Sequence, residues 1–159
     1  MQFRPVQKSD ASFISRVRNS VTHEFLHSTG TFTVEEVEQW LDTKYPFFYI
    51  IETNITKQPV GYFRLSDYNP NTNSIQIGAD LAEEFRGLGL GYESYVEFMS
   101  FLEERFGIEI YLLQVLGTNQ RALNLYKKLG FEIDKIEKNS IEKNGKKVDN
   151  IFMKKVKNG

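Results

Sequence analysis

The run Phe85-Arg86-Gly87-Leu88-Gly89-Leu90-Gly91 follows a β-rich segment and precedes a helical apolar pattern, with a glycine at every second position. Glycine tolerates positive φ without a Cβ clash, so this stretch can turn tightly with its N–H groups gathered on one side. Where a strand hands over to a helix, such N–H groups and the positive end of the helix dipole hold a phosphate or pyrophosphate. Neither common phosphate-loop template fits. A dinucleotide fingerprint needs a third glycine at position 92, which is Tyr92, and no Walker A run is present.

A second block lies downstream: Val115, Asn119, Ala122, Tyr126, Gly130 and Phe131. Together with Arg86-x-x-Gly89-x-Gly91, this spacing resembles the GNAT superfamily of acyl-CoA-dependent N-acyltransferases, firmly over residues 74 to 133. The resemblance implies an acetyl-CoA-dependent N-acetyltransferase acting on a primary amine by direct attack on the thioester. Arg18-Asn19, Thr33, Glu35, Glu36 and Trp40 look like the branch of ribosomal-protein and amino-sugar acetyltransferases, although Val37 stands where those often have His. A nucleotide-linked amino sugar is therefore the favoured acceptor, with a protein N-terminus or a non-catalytic acyl-CoA-binding module as alternatives.

The order of elements agrees. Residues 2 to 6 read as a strand, and Asp10 as the N-cap of a helix carrying Phe13, Ile14 and Val17. Thr33 and Glu36 form a capping box that opens a second helix through Val37, Trp40 and Leu41. Residues 47 to 52, 60 to 66 and 74 to 81 are β-rich, with residues 67 to 73 as a turn. A long helix follows the glycine run and closes at Gly107, then residues 108 to 115 form an apolar strand. Asn119 caps the last helix, Gly130 ends it, and Asn144-Gly145 turns a final hairpin. The result is an α+β fold, β-α-α-β-β-β-α-β-α-β-β. By resemblance it is one domain over residues 1–159, with a mixed, mostly antiparallel sheet of about seven strands splayed at its centre.

Composition excludes more than it selects. The 159 residues carry a net charge of −1 with 26% charged side chains, which offers no basic stripe for nucleic acid or an anionic membrane. No stretch approaches the roughly 20 apolar residues of a membrane span, and a cytoplasmic location is the default expectation. The absence of cysteine excludes disulfides and thiolate chemistry. His23-Glu24-Phe25-Leu26-His27 matches H-E-x-x-H, but the chain has no third histidine, so no metal is expected. A monomer or a homodimer is compatible with all of this.

The resemblance assigns roles residue by residue. Gly87, Leu88, Gly89, Leu90, Gly91 and Tyr92 would hold the pyrophosphate, with Arg86 beside them. Asp80 and Leu81 would flank the pantetheine arm, the Leu81 N–H polarising the thioester carbonyl. Asn119 and Ala122 would line the cofactor, and Tyr126 would be the general acid. A phenol with a pKa of about 10 matches a departing thiolate well. Many relatives carry a Glu in the strand before the glycine loop. Here that strand reads Ser74-Ile75-Gln76-Ile77-Gly78-Ala79-Asp80, leaving a water chain held by Gln76, Asp80 or the backbone to take the amine proton. His23, Glu24, Arg64 and Asp67 are the candidate acceptor-binding residues, with His27 and Tyr68 nearby.

Overall fold

The computed structural model describes residues 1–20, 32–43 and 47–157. Seven strands form one sheet in the order β1-β2-β3-β4-β5-β7-β6: β1 Gln2–Pro5, β2 Phe47–Glu52, β3 Pro59–Asn69, β4 Ser74–Leu81, β5 Ile110–Leu116, β6 Glu132–Lys143 and β7 Lys146–Val156. The helices are α1 Ala11–Ser20, α2 Val34–Thr43, α3 Leu90–Phe106 and α4 Gln120–Lys128. All neighbours pair antiparallel except β4 and β5, which run parallel and pair only over Ser74↔Ile110, Ile75↔Tyr111 and Gln76↔Leu112.

Each face of the sheet carries its own core, because side chains alternate along a strand. One face puts Phe63, Leu65, Ile77 and Leu113 against Tyr95, Phe98, Met99 and Leu102 of α3 and Leu123 of α4. Phe63 and Phe98 stack there with centroids 4.1 Å apart. The other face packs Phe48, Ile50 and Tyr62 against Ile14 and Val17 of α1 and Val37 of α2. Tyr62, Arg64 and Ser66 of β3 share this second face with Asp80, Gly78 and Gln76 of β4, their register partners.

Several local expectations are met. Gly107 ends α3 at φ +64° with its N–H donating to Glu103 O. The Asn119 side chain accepts from the Ala122 N–H at 3.2 Å at the start of α4. Asn144 and Gly145 both take positive φ between β6 and β7, as a tight two-residue hairpin requires. Thr33 Oγ1 accepts from the Glu36 N–H at 3.1 Å, while its hydroxyl donates to the Glu36 carboxylate.

Two expectations need correction. Asp10 does not cap α1: it closes a one-turn helix, Lys8–Asp10, that precedes α1, accepting from the Gln7 N–H at 2.7 Å and from both Nη atoms of Arg4 at 2.8 Å. Arg4 also donates to Glu52, so the Asp10 carboxylate caps the start of the one-turn helix and joins a β1–β2 ion network instead of capping α1. Residues 67 to 73 are not all turn. β3 runs on to Asn69 through a register shift after Ser66, with Asp67 at φ +53°, and the bulge masks the strand's alternation.

Candidate active site

The short parallel pairing creates the site. Beyond Gln76↔Leu112 the two central strands part, while β4 stays paired with β3 to its end. The Ala82 N–H donates to Val60 O at 2.8 Å, which makes Gly61↔Leu81 a non-hydrogen-bonded pair. By alternation, Asp80 directs its backbone polar groups to Tyr62, and Ala79 and Leu81 direct theirs to the open side facing β5. Leu81 is thus placed to present its N–H in the gap, as the resemblance implies; its carbonyl accepts from Arg86 Nε at 3.0 Å. Asp80 flanks the gap by position, but neither its backbone nor its carboxylate turns into it. Gly61 allows the close approach of β3 here: a Cβ would lie 2.5 Å from Asp80 O.

The glycine loop sits at the mouth of this gap. Gly87 and Gly89 adopt φ +77° and +79°, and Gly89 is the N-cap of α3. The first N–H donors of α3, at Leu90, Gly91 and Tyr92, precede any intrahelical acceptor, and the first α-helical bond is Glu93 N–H to Gly89 O. Leu88 and Gly89 are exposed, and the space a Gly89 Cβ would occupy is open. A Gly91 Cβ would make only ordinary contacts with Leu125 and Leu81. Free N–H groups at a helix start, an open cradle and a dipole suit a pyrophosphate.

Arg86 is placed differently from a phosphate ligand. Besides Leu81 O, its guanidinium donates to Ser20 O at 3.3 Å and Ser20 Oγ at 2.7 Å, tying the end of β4 to the end of α1. Two other cations approach this segment: Arg121, in the first turn of α4, whose Nη2 lies 3.6 Å from the Cβ position of Gly87, and Lys128, whose Nζ lies 5.8 Å from the Tyr92 ring centroid. The sequence reading passed over Arg121; its position two residues after the Asn119 cap was the available signal.

Tyr126 of α4 packs edge-on to Tyr95 of α3 at 5.8 Å and to Phe131 at 6.0 Å, which fixes the ring. Burial pushes its phenol above the ordinary value, opposed by the adjacent Tyr95 hydroxyl and by the charge of Arg64. Tyr95 Oη lies buried behind it with no hydrogen-bond partner among the described residues. Ala122 packs against the same core, one turn before Tyr126.

On the opposite face Asp80 is the hub. Its Oδ2 accepts from Tyr62 Oη at 2.8 Å and Arg18 Nη1 at 3.0 Å, and lies 3.4 Å from Arg64 Nε. Burial alone would raise this carboxyl, but Arg64 and then Arg18 and the Tyr62 hydroxyl hold it below the usual carboxylate range. A carboxylate so stabilised is a weak proton acceptor. Arg18 and Tyr62, unassigned from sequence, belong to the site through it. Arg64 crosses Gly78, where a Cβ would come within 2.9 Å of Nη2. Gln76 Oε1 accepts from Gln114 Nε2 at 3.3 Å, and Gln114 Oε1 accepts from Asn150 Nδ2 at 3.0 Å. Asp67 is exposed and further along β3, five residues or about 16 Å from Tyr62. Tyr68, beside it, is exposed too. His23, Glu24 and His27 lie outside the described residues.

The family model of the acetyltransferase (GNAT) domain matches residues 1–132. The chain belongs to the GNAT acetyltransferase family. Similar solved structures include a ribosomal-protein-alanine N-acetyltransferase from Brucella melitensis, 21% identical with TM-score 0.80, covering 98% of this chain and 99% of that one. A spermidine N-acetyltransferase from Vibrio cholerae in complex with CoA and spermine is 18% identical with TM-score 0.86, covering 98% and 94%. An N-acetyltransferase from Staphylococcus aureus is 17% identical with TM-score 0.80, covering 98% and 97%. These identities establish the shared fold. No curated protein matches the sequence. This GNAT chain is an acetyltransferase using acetyl-CoA. No helix among the described residues is long and apolar enough to cross a membrane, and no acidic, histidine or cysteine cluster there is arranged for a metal.

Proposed function

We propose that this GNAT protein transfers an acetyl group from acetyl-CoA to the primary amine of a small molecule by direct attack on the thioester, with Tyr126 as the general acid. The observation that carries this reading is the parting of β4 and β5 beyond Gln76↔Leu112, with Leu81 facing the gap and the α3 N-terminus at its mouth. Acetyl-CoA supplies, when bound, an activated acyl carbon and a thiolate leaving group. The N–H groups of Leu90, Gly91 and Tyr92 hold its pyrophosphate, with Arg121 adding charge, and Gly87, Leu88 and Gly89 shape the cradle. Arg86 acts through Leu81, steadying the strand end whose N–H polarises the thioester carbonyl. The amine nitrogen forms the C–N bond as the C–S bond breaks. The Tyr126 hydroxyl protonates the departing sulfur, and the amine proton leaves to water.

Gln76 and Asp80 serve on the acceptor side, with Arg64. Asp80 does not take the proton: its Oδ2 accepts from Tyr62 and Arg18 and lies 3.4 Å from Arg64 Nε, and these partners hold its carboxyl below the usual carboxylate range. Asn119 shapes the start of α4, and Ala122 keeps the wall beside Tyr126 small. Nucleotide-linked amino sugars are the first acceptors to test, followed by protein N-termini.

Calorimetric titration with acetyl-CoA, controlled with desulfo-CoA, followed by thiol release with an amine panel, tests the proposal. Saturable one-to-one binding and amine-dependent thiol release are expected. A folded sample that neither binds acetyl-CoA nor releases thiol with any amine refutes it.

A further inference from the structure

We infer that the acceptor amine carries an anionic group, a carboxylate or a phosphate, which is bound by Arg64 beside Gln76. This rests on the transferase reading above and specifies its substrate class. Tyr62, Arg64, Gln76, Gly78 and Asp80 share one face. The Asp80 carboxylate is the anion among them, and its Oδ2 is occupied by Arg18 and Tyr62, with Arg64 Nε 3.4 Å away. Among the described residues, two guanidinium groups stand against one carboxylate, a surplus of one positive charge.

Arg64 carries that surplus. Its Nε is buried without a hydrogen bond, its Nη atoms make none to a described residue, and its side chain is 36% exposed. Its seat is built: Gly78 lacks the Cβ that would stand 2.9 Å from Nη2, so the guanidinium lies flat across β4 between Gln76 and Asp80. A planar fork with free donors is the group that recognises a carboxylate or phosphate in two-point fashion.

Gln76 adds to the same polarity. The amide chain runs from Asn150 Nδ2 to Gln114 Oε1 and from Gln114 Nε2 to Gln76 Oε1. Asn150 is 4% exposed, which fixes the buried end of the chain. With Gln76 Oε1 taken, its Nε2 donors remain for the cleft. Arg64 therefore presents only donors here and Gln76 adds its Nε2 donors beside it, an arrangement that favours an anion over a polycation. Gly78 is three residues from Leu81, about 10 Å along the strand, so the anion lies within that reach of the reacting nitrogen.

The test is thiol release with matched acceptors: amino acids against their carboxamides, amino-sugar phosphates against the unphosphorylated sugars, and spermidine as the cationic extreme. The anionic member of at least one pair is expected to show a kcat/KM at least tenfold higher, carried mainly by the acceptor KM. The pair that shows it distinguishes carboxylate from phosphate. Arg64→Gln is expected to erase the preference while the acetyl-CoA Kd holds. Gly78→Ala, which displaces the guanidinium without removing the charge, is expected to weaken it in a protein of unchanged melting behaviour. Neutral amines or spermidine equal to or better than every anionic partner would overturn the inference, as would a preference that survives both substitutions. Failure of the unaltered protein to bind acetyl-CoA would instead remove the transferase reading on which it rests.

Discussion

Tyr126→Phe removes one oxygen and keeps the ring. The edge-on contacts to Tyr95 at 5.8 Å and Phe131 at 6.0 Å survive, and the lost hydroxyl gives up only its approach to the Tyr95 hydroxyl. Stability should change by less than about 1 kcal/mol. The rate is another matter, because the departing thiolate must then find its proton in water. A positioned general acid contributes roughly 10²–10⁴-fold. Tyr95 Oη, buried behind Tyr126 with its hydrogen-bonding capacity unspent, still offers a donor, so the lower end applies. The expected loss is about 100-fold in kcat, or about 2.7 kcal/mol of barrier. Steady-state thiol release measures the rate, and calorimetry the acetyl-CoA Kd, which should hold within about twofold. A kcat loss below about threefold, or a matching loss of cofactor affinity, would refute the assignment. The pH profile is a second check: the raised Tyr126 pKa keeps the donor protonated, so kcat should show no alkaline fall below about pH 10.

Gly89→Glu forces a side chain into φ +79° and a negative charge into the cradle, and should abolish acetyl-CoA binding by calorimetry while circular dichroism stays native. Arg121→Glu should weaken acetyl-CoA by about 1 kcal/mol at low ionic strength, and the difference should shrink in high salt. Asp80→Asn strands Arg18 and Arg64 and should cost about 2–4 kcal/mol in urea unfolding. Asp10, Glu52 and Asp80 all have folded pKa values depressed below their unfolded ones, so the stability they provide is present above about pH 4 and lost as pH falls through the folded values. Urea midpoints measured from pH 6 down to pH 2 should drop through that window, and Asp80→Asn should flatten part of the fall.

Local signals were legible where a few neighbouring residues decide the geometry. Gly107, Asn119 and Asn144-Gly145 ended, began and turned their elements as read, because positive φ and a side-chain cap are properties of short segments. Asp10 deceived because its carboxylate was claimed from β1 by Arg4, a contact across the sheet edge that no helix signal announces. Asp67 deceived because a bulge interrupts the alternation on which strand reading depends. In the site, the glycine loop and Tyr126 were readable from spacing. Arg86 was read as facing a phosphate, yet its donors go to Leu81 and Ser20, the latter 66 residues away in sequence. Arg18 was marked only as part of a family pattern and Tyr62 not at all, because their convergence on the Asp80 carboxylate is a three-dimensional property.

The three-residue joint between β4 and β5 also divides the sheet into two units by sequence distance. On one side β2, β3 and β4 follow one another as a meander with β1 at its edge, and on the other β6 and β7 form a hairpin against β5. The β2–β3–β4 meander and the β6–β7 hairpin close short loops, whereas the joint must bring Ser74 to Ile110 across the whole of α3, and the pairings of β1 with β2 and of β5 with β7 also join distant segments. Loop closure of that length makes the joint and the two other distant pairings late steps of assembly, after the meander and the hairpin have formed. In pulsed amide exchange, the β6–β7 hairpin should gain protection before the Tyr111 and Leu112 amides do.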